Sequence, residues 1–268
     1  MTSGVRVRRA ECRPERLDEV RAAGFVHVEW EWSWNGAGSS PVPSAGELAS
    51  AARALAGAGL TCSVAGPTGI SVAEKVDPLR AVSTRLWREL YQAAGELGAR
   101  WVVLELGQAR CAPDETEKRR RRIDLARPAL HAILEGSDGG PLLLVENQRR
   151  LDPVLGRTYL GDHAADLVHL LDGLPPERAG IMFDAGHPLI GQDPLAFLEG
   201  VDPWIRAVAL HANDGVRDEH RALEPGDVDR HPAYWHGLAR RAAGLPVVVE
   251  IDDLDAARSC WHTFSHLP

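Results

Sequence analysis

The chain has 268 residues, 44% of them apolar and 25% charged; this excludes a disordered, collagen-like or disulfide-dense protein, and the length suits one α/β unit such as a closed barrel of roughly 250 residues. With 30 basic against 38 acidic residues the formal charge is -8, which disfavours an electrostatic grip on nucleic acid or anionic membrane and leaves small neutral or weakly charged ligands open. No run approaches the roughly 18 apolar residues of a membrane span, and the start MTSGVRVRRAECRPE has no apolar signal-peptide core, so a cytoplasmic protein is expected. Cys12, Cys62, Cys111 and Cys260 contain no CxxC pair, and reduced thiols are expected in place of a thiolate metal site. Lys75 and Lys118 are the only lysines, and neither sits where Schiff-base chemistry would need it.

Short apolar runs of strand length recur along the chain: VRV at 5–7, FVHVEW at 25–30, LTCSVA at 60–65, WVVLEL at 101–106, LLLVEN at 142–147, GIMFDA at 180–185, RAVALHA at 206–212 and PVVVEI at 246–251. Most are rich in β-branched residues. Helical patterns fill the spaces between them. Ser44 and Glu47 form a capping box ahead of LASAARALAGAG, Asp77 and Pro78 open a run with Leu79, Val82, Leu86 and Leu90 at helical spacing, and Gly59 and Gly98 close these two helices. Asp193 and Pro194 start a short helix, and 162–172 and 232–243 read as amphipathic.

Eight strands alternating with helices predict a parallel sheet. Strands apolar enough to be covered on both faces, with no glycine-rich phosphate loop after the first, predict a single (β/α)8 barrel over residues 1–268 and no nucleotide cofactor. The Gly/Ser/Pro-rich stretch 33–46 follows the second strand, where a barrel places an active-site loop. The basic run Lys118–Arg122 is preceded by Asp114, Glu115 and Glu117 and reads as a solvated helix face with local ion pairs.

The last four strands share a feature at their C-terminal ends: Glu146 ends LLLVE, Asp184 ends GIMFD, His211 ends AVALH and Glu250 ends PVVVE. In a parallel barrel these ends converge on one face. One charged strand end is an ordinary surface residue or cap. Four in succession would be costly to desolvate without a shared partner, which a divalent ion supplies. Three carboxylates and an imidazole suit Mn, Mg, Co or Zn and leave coordination positions open for substrate oxygens. His27, inside the second strand, is expected to be a satisfied core residue. Trp30, Trp32 and Trp34 fall on one side if that strand continues; such rings either stack on a sugar face or pack beneath helices.

The segments LLLVENQ, IMFDAGHPLI, LHANDGVRDEHRALEPGDVD and VVVEID resemble, in order, the signatures of the xylose-isomerase-like TIM-barrel superfamily, which includes sugar isomerases and epimerases and the zinc AP endonucleases of family 2. The resemblance spans roughly residues 24–251. It implies that Glu146, Asp184, His211 and Glu250 hold one catalytic divalent ion. In the epimerase branch the two glutamates also lie on opposite faces of the substrate, removing and returning a proton beside a carbonyl. The resemblance further implies that His187, in DAGH, hydrogen-bonds a substrate oxygen, that Arg217 contacts the same part of the sugar, and that Asp152 stands where the branch has a longer acid. Asp218 and His220, with His187, resemble a second zinc site of the endonucleases. Those enzymes also draw histidines from the third and fourth strands, where this chain has Ser63, Val64 and Glu105.

The expected function is a divalent-metal-dependent isomerase or epimerase of a small unphosphorylated sugar, keto-sugar or polyol, with Glu146 and Glu250 as the acid-base pair. The alternative is a lyase dehydrating a keto-inositol or dehydroshikimate-like carbocycle, starting from the same abstraction and using His187 or His220 as acid. Phosphodiester or AP-site hydrolysis, against which the negative charge, the absent histidines and the lack of a basic surface loop argue, and a barrel without catalysis rank below these. No nucleic-acid or membrane partner is expected, and relatives suggest a homo-oligomer.

Overall fold

The computed structural model describes residues 2–32, 40–112, 114–135, 139–151 and 156–268. Trp34 and Asp152 lie outside these residues. Eight parallel strands close into one barrel: β1 Thr2–Arg8, β2 His27–Glu31, β3 Thr61–Ala65, β4 Trp101–Leu104, β5 Leu142–Glu146, β6 Ala179–Asp184, β7 Ile205–Leu210 and β8 Pro246–Val249. They follow one another around the barrel in chain order, and β8 closes on β1 with Thr2 opposite Pro246 and Val5 opposite Val249. Thus β1 is longer than the VRV core suggests. It packs tightly against β2: a Cβ on Gly4 would lie 2.9 Å from His27 Cδ2, so glycine permits the close approach.

Surrounding the barrel are α1 Pro14–Ala22, α2 Ala45–Ala58, α3 Asp77–Leu97, α4 Thr116–Leu134, α5 Ala164–Leu171, α6 Pro194–Val201, α7 Pro225–Arg230, α8 Pro232–Ala242 and α9 Leu254–Ser265. The Ser44–Glu47 capping box forms in both directions, and Gly59 and Gly98 adopt the left-handed conformation that ends α2 and α3. Asp193 caps α6 by accepting from Leu195 N and Ala196 N, each at 3.1 Å. The basic run differs from its expected place. Lys118 and Arg121 pair locally with Glu115 and Glu117, but Arg119 is buried against Asp166 of α5. A helix face that packs on a neighbour turns one residue in three or four inward, whatever its charge. Among the described residues no helix is long and apolar enough to cross a membrane.

Two apolar layers follow from the two-residue repeat of the strands. Val5, Val7, Val28 and Trp30 face the helices, as does Trp32 just beyond β2, whereas Trp101, Val103, Leu144, Met182, Ala207, Ala209 and Val248 fill the barrel. His27 belongs to the interior, stacked on Trp101 with ring centroids 4.5 Å apart. Its Nδ1 lies 2.8 Å from Thr61 Oγ1 and its Nε2 2.9 Å from Ser63 Oγ, so it is the satisfied core residue expected.

Burial, assisted by Arg100, depresses the His27 pKa to about 3. The unfolded chain protonates it near pH 6.5, so its contribution to stability is complete above that pH and is lost as the pH falls toward 3. In His27→Gln this loss disappears. The stability advantage of the wild type over the variant, measured by chemical denaturation, is expected to shrink from about pH 7 to about pH 4; a gap independent of pH would show that the imidazole is not held neutral.

Candidate metal centre

The same two-residue repeat that fills the barrel places the acids at its mouth. Glu146 lies two residues beyond Leu144, Asp184 two beyond Met182, His211 two beyond Ala209 and Glu250 two beyond Val248, each of these partners being an interior residue. The ladder continues past β8, with Glu250 N donating to Leu210 O at 3.1 Å. All four side chains are buried. Candidate ligand atoms of Asp184, His211 and Glu250 lie within 4.8 Å of one another, as do those of Glu146, Asp184 and His187 and those of His211, Asp218 and His220. Asp218 and His220 therefore group with His211, whereas His187 groups with Glu146 and Asp184; His187 still reaches Asp218, with Nε2 3.2 Å from Oδ2.

Backbone and side-chain donors hold these groups unevenly. Asp184 Oδ1 accepts from Gly186 N and His187 N, each at 2.8 Å, and Oδ2 lies 3.0 Å from His211 Nε2. Asn147 ties β5 to β6, accepting from Asp184 N at 2.7 Å and donating to Asp184 O at 3.0 Å. Its own carbonyl lies 2.7 Å from His187 Nδ1. His220 stacks on His211 at 4.0 Å, with Nδ1 3.1 Å from Glu250 O. It carries the one positive φ of a non-glycine residue among those described, 48°, a strained conformation of the kind found where side-chain placement matters.

Electrostatics divide the carboxylates into two kinds. Burial works against ionisation of Asp184, but His187 and His211 outweigh it and hold its pKa far below the usual range. Asp218 is likewise held below the usual range against burial, by a hydrogen bond from His187 and by the nearby His220, and it also pairs with Arg149. Glu146 is pushed well above the carboxylate range by burial and by Glu105 and Glu250. Burial raises Glu250 to about 8, although Arg6 opposes it. Protonation of the histidines is opposed by burial but favoured by the acids: Asp184, Asp218 and Glu146 raise His187 to about 10, and Asp218 and Glu250 are the leading groups that raise His220 to about 9.

The residues present fit a divalent ion. Both Glu250 oxygens and Asp218 Oδ1 are buried without a hydrogen bond, although Arg6 stands against Glu250 Oε1 as an ion pair. Buried carboxylate oxygens without donors are destabilising unless a cation meets them. Oxygen ligands and an imidazole are the donors that Mn, Mg, Co or Zn accept.

Other sequence candidates lie elsewhere. Arg217 is exposed, 3.8 Å from Asp214, and does not join the cluster. Trp30 and Trp32 contact each other edge to face, with centroids 5.5 Å apart, in the apolar layer beneath the helices, so of the two expectations for them packing is the one observed. Sequence reasoning passed over Arg6 and Glu29, which face the interior and pair at 2.9 Å. The signal was available: in VRV and VEW the charged residue alternates with residues that face the helices, and so points inward.

A family model described as xylose isomerase-like TIM barrel matches residues 17–259. No curated protein sequence matches the chain. Among solved structures, a D-tagatose 3-epimerase-like protein superposes with a TM-score of 0.79 at 19% identity, over 100% of this chain and 97% of its own. D-psicose 3-epimerase with D-tagatose from Clostridium cellulolyticum gives 0.71 at 14% identity, over 100% and 99%. Endonuclease IV from Thermus thermophilus gives 0.66 at 20% identity, over 98% and 97%.

Gly186 is part of the candidate centre, since a Cβ there would lie 2.1 Å from His211 Cε1. Gly186→Ala is expected to displace the imidazole and weaken Mn2+ binding by about 10- to 100-fold, read by calorimetric titration, while circular dichroism remains that of the wild type; unchanged affinity would remove His211 from the ligand set.

Proposed function

The chain belongs to the xylose isomerase-like TIM barrel family, and from that membership we propose that it is a divalent-metal-dependent isomerase or epimerase of a small sugar, keto-sugar or polyol. The observation that carries this reading is the convergence of Glu146, Asp184, His211 and Glu250 at the barrel mouth, with neither Glu250 oxygen accepting a hydrogen bond. The names of the two epimerase structures support a sugar substrate. A divalent ion, Mn, Mg, Co or Zn, would be held by these four residues and would supply Lewis-acid polarisation of a substrate carbonyl.

The chain's own residues supply the proton transfers. One of Glu146 and Glu250 takes the proton from the carbon beside the carbonyl and the other returns one to the opposite face, so that configuration changes and no atom is gained or lost. Burial gives both glutamates the elevated proton affinity that such a base needs. His187 is anchored through Nδ1 by Asn147 O, and in this reading its Nε2 donates to a substrate oxygen in place of Asp218, which it faces at 3.2 Å.

A second reading, dehydration, is favoured by His220. Its ring is part exposed whereas Glu146, Asp184, His187, His211 and Glu250 are buried, and its pKa, raised to about 9, favours the protonated state required of an acid assisting departure of a β-hydroxyl. Hydrolysis of nucleic acid has less support: the charge is -8, and the interior of β3 offers Ser63 engaged with His27.

Elemental analysis of protein purified without chelator is expected to find about one divalent ion per chain, reduced in Glu250→Gln. With ketoses and keto-polyols in deuterated water, the wild type is expected to incorporate deuterium beside the carbonyl, and Glu146→Gln and Glu250→Gln to lose about 10²- to 10⁴-fold in turnover. Full activity in both variants would eliminate the two-glutamate mechanism. Product lacking one water, lost in His220→Gln while exchange persists, would assign the lyase reaction.

A further inference from the structure

Arg6 belongs neither to the candidate ligand set nor to the acid-base pair, yet it touches both. From β1, between the outward-facing Val5 and Val7, it projects into the barrel, where Nη2 pairs with Glu250 Oε1 and lies 2.9 Å from Glu29 Oε1, and Nε lies 3.2 Å from that same Glu29 oxygen. Glu29 is fully buried and is itself fixed, its Oε2 accepting from Trp101 Nε1 at 3.2 Å and Ser63 Oγ at 3.4 Å. The guanidinium is therefore gripped from below by an immobile acid and presented to Glu250 from above. Burial disfavours its charge, but Glu250, Glu29 and Glu146 together more than compensate, so it remains a cation.

We propose that Arg6 is a resident counter-cation of the metal centre, holding the Glu250 carboxyl group in place before a divalent ion arrives and competing with that ion for the same oxygen afterwards. The inference rests on the proposed metal-dependent reading of the site. Its physical basis is that a charge fixed within ion-pair distance of a ligand oxygen repels an incoming dication strongly where water is scarce, and that no hydrogen bond fixes the Glu250 carboxyl group in place. Arg6 acts through Glu250 and is a positioning residue. Metal affinity is thereby set below what four buried ligands would otherwise give, in exchange for a stable metal-free fold.

The test is calorimetric titration of the metal-free full-length chain with MnCl2. Arg6→Met is expected to bind Mn2+ about tenfold or more tightly than the wild type, to melt at a lower temperature without metal, and to recover most of that difference when Mn2+ is added. Arg6→Lys, which keeps the charge, is expected to retain an affinity within about threefold of the wild type. Should Arg6→Met fail to fold because Glu29 is left uncompensated, the Arg6→Met/Glu29→Gln variant removes both charges and carries the same expectation. A purely structural lesion weakens binding, so the sign of the change separates the two roles. Unchanged or weaker Mn2+ binding in these variants, with a wild type that binds, overturns the role of Arg6 alone; absence of binding of Mn2+, Co2+ or Zn2+ to wild type and variants overturns the metal-centre reading and this inference with it.

Discussion

Repulsion among buried carboxylates is the constraint around which the mouth of this barrel is organised. Glu146, Asp184, Asp218 and Glu250 are brought together where little water reaches them, and each ionised acid raises the cost of ionising the next. Compensation is unequal. Asp184 has two backbone amides and His211, and Asp218 has Arg149, His187 and His220. Glu250 has an ion pair with Arg6 and the His220 Nδ1 at 3.6 Å but no hydrogen bond, and Glu146 has His187 at 3.6 Å. Glu250 is thus the acid short of hydrogen-bond donors, which is where a divalent ion would add most.

The barrel makes such crowding possible without disturbing its own stability. Each of the last four strands delivers an acid or histidine at the first inward position beyond an apolar interior residue. This regularity is why much of the molecule could be read from sequence. The eight strands, the Ser44–Glu47 cap, the glycine stops at 59 and 98 and the four strand-end residues all follow from local patterns whose period equals that of the structure.

What escaped the sequence reading was side-chain direction in short strands and in loops. Arg6 looks like a flank of a weak strand until closure of β8 on β1 gives it an inside and an outside. Trp30 and Trp32 carry the chemistry of a sugar platform, yet β2 turns them toward the helices. Arg217 sits at the spacing that the resemblance implies, but the loop carrying it bends so that its guanidinium faces solvent and Asp214. The partnering of Asp218 and His220 with His211 depends on the same loop, whose path no periodicity encodes.

That loop is fixed at its base. Ala212 and Arg221 exchange two backbone hydrogen bonds, at 2.8 and 3.1 Å, and Arg221 is in turn held by Asn213 O at 2.9 Å and by the Asp227 carboxylate. Within the segment closed in this way His220 has its positive φ and its ring lies on His211. The candidate ligands Glu146, Asp184, His211 and Glu250 therefore stand at strand ends of the barrel, whereas Asp218 and His220 ride on a loop whose geometry is set by a few local contacts. Under the proposed function, a change of reaction would need no change in the ligand set, because after proton abstraction beside a carbonyl the outcome depends on whether an acid stands beside a β-hydroxyl or beside the carbon itself.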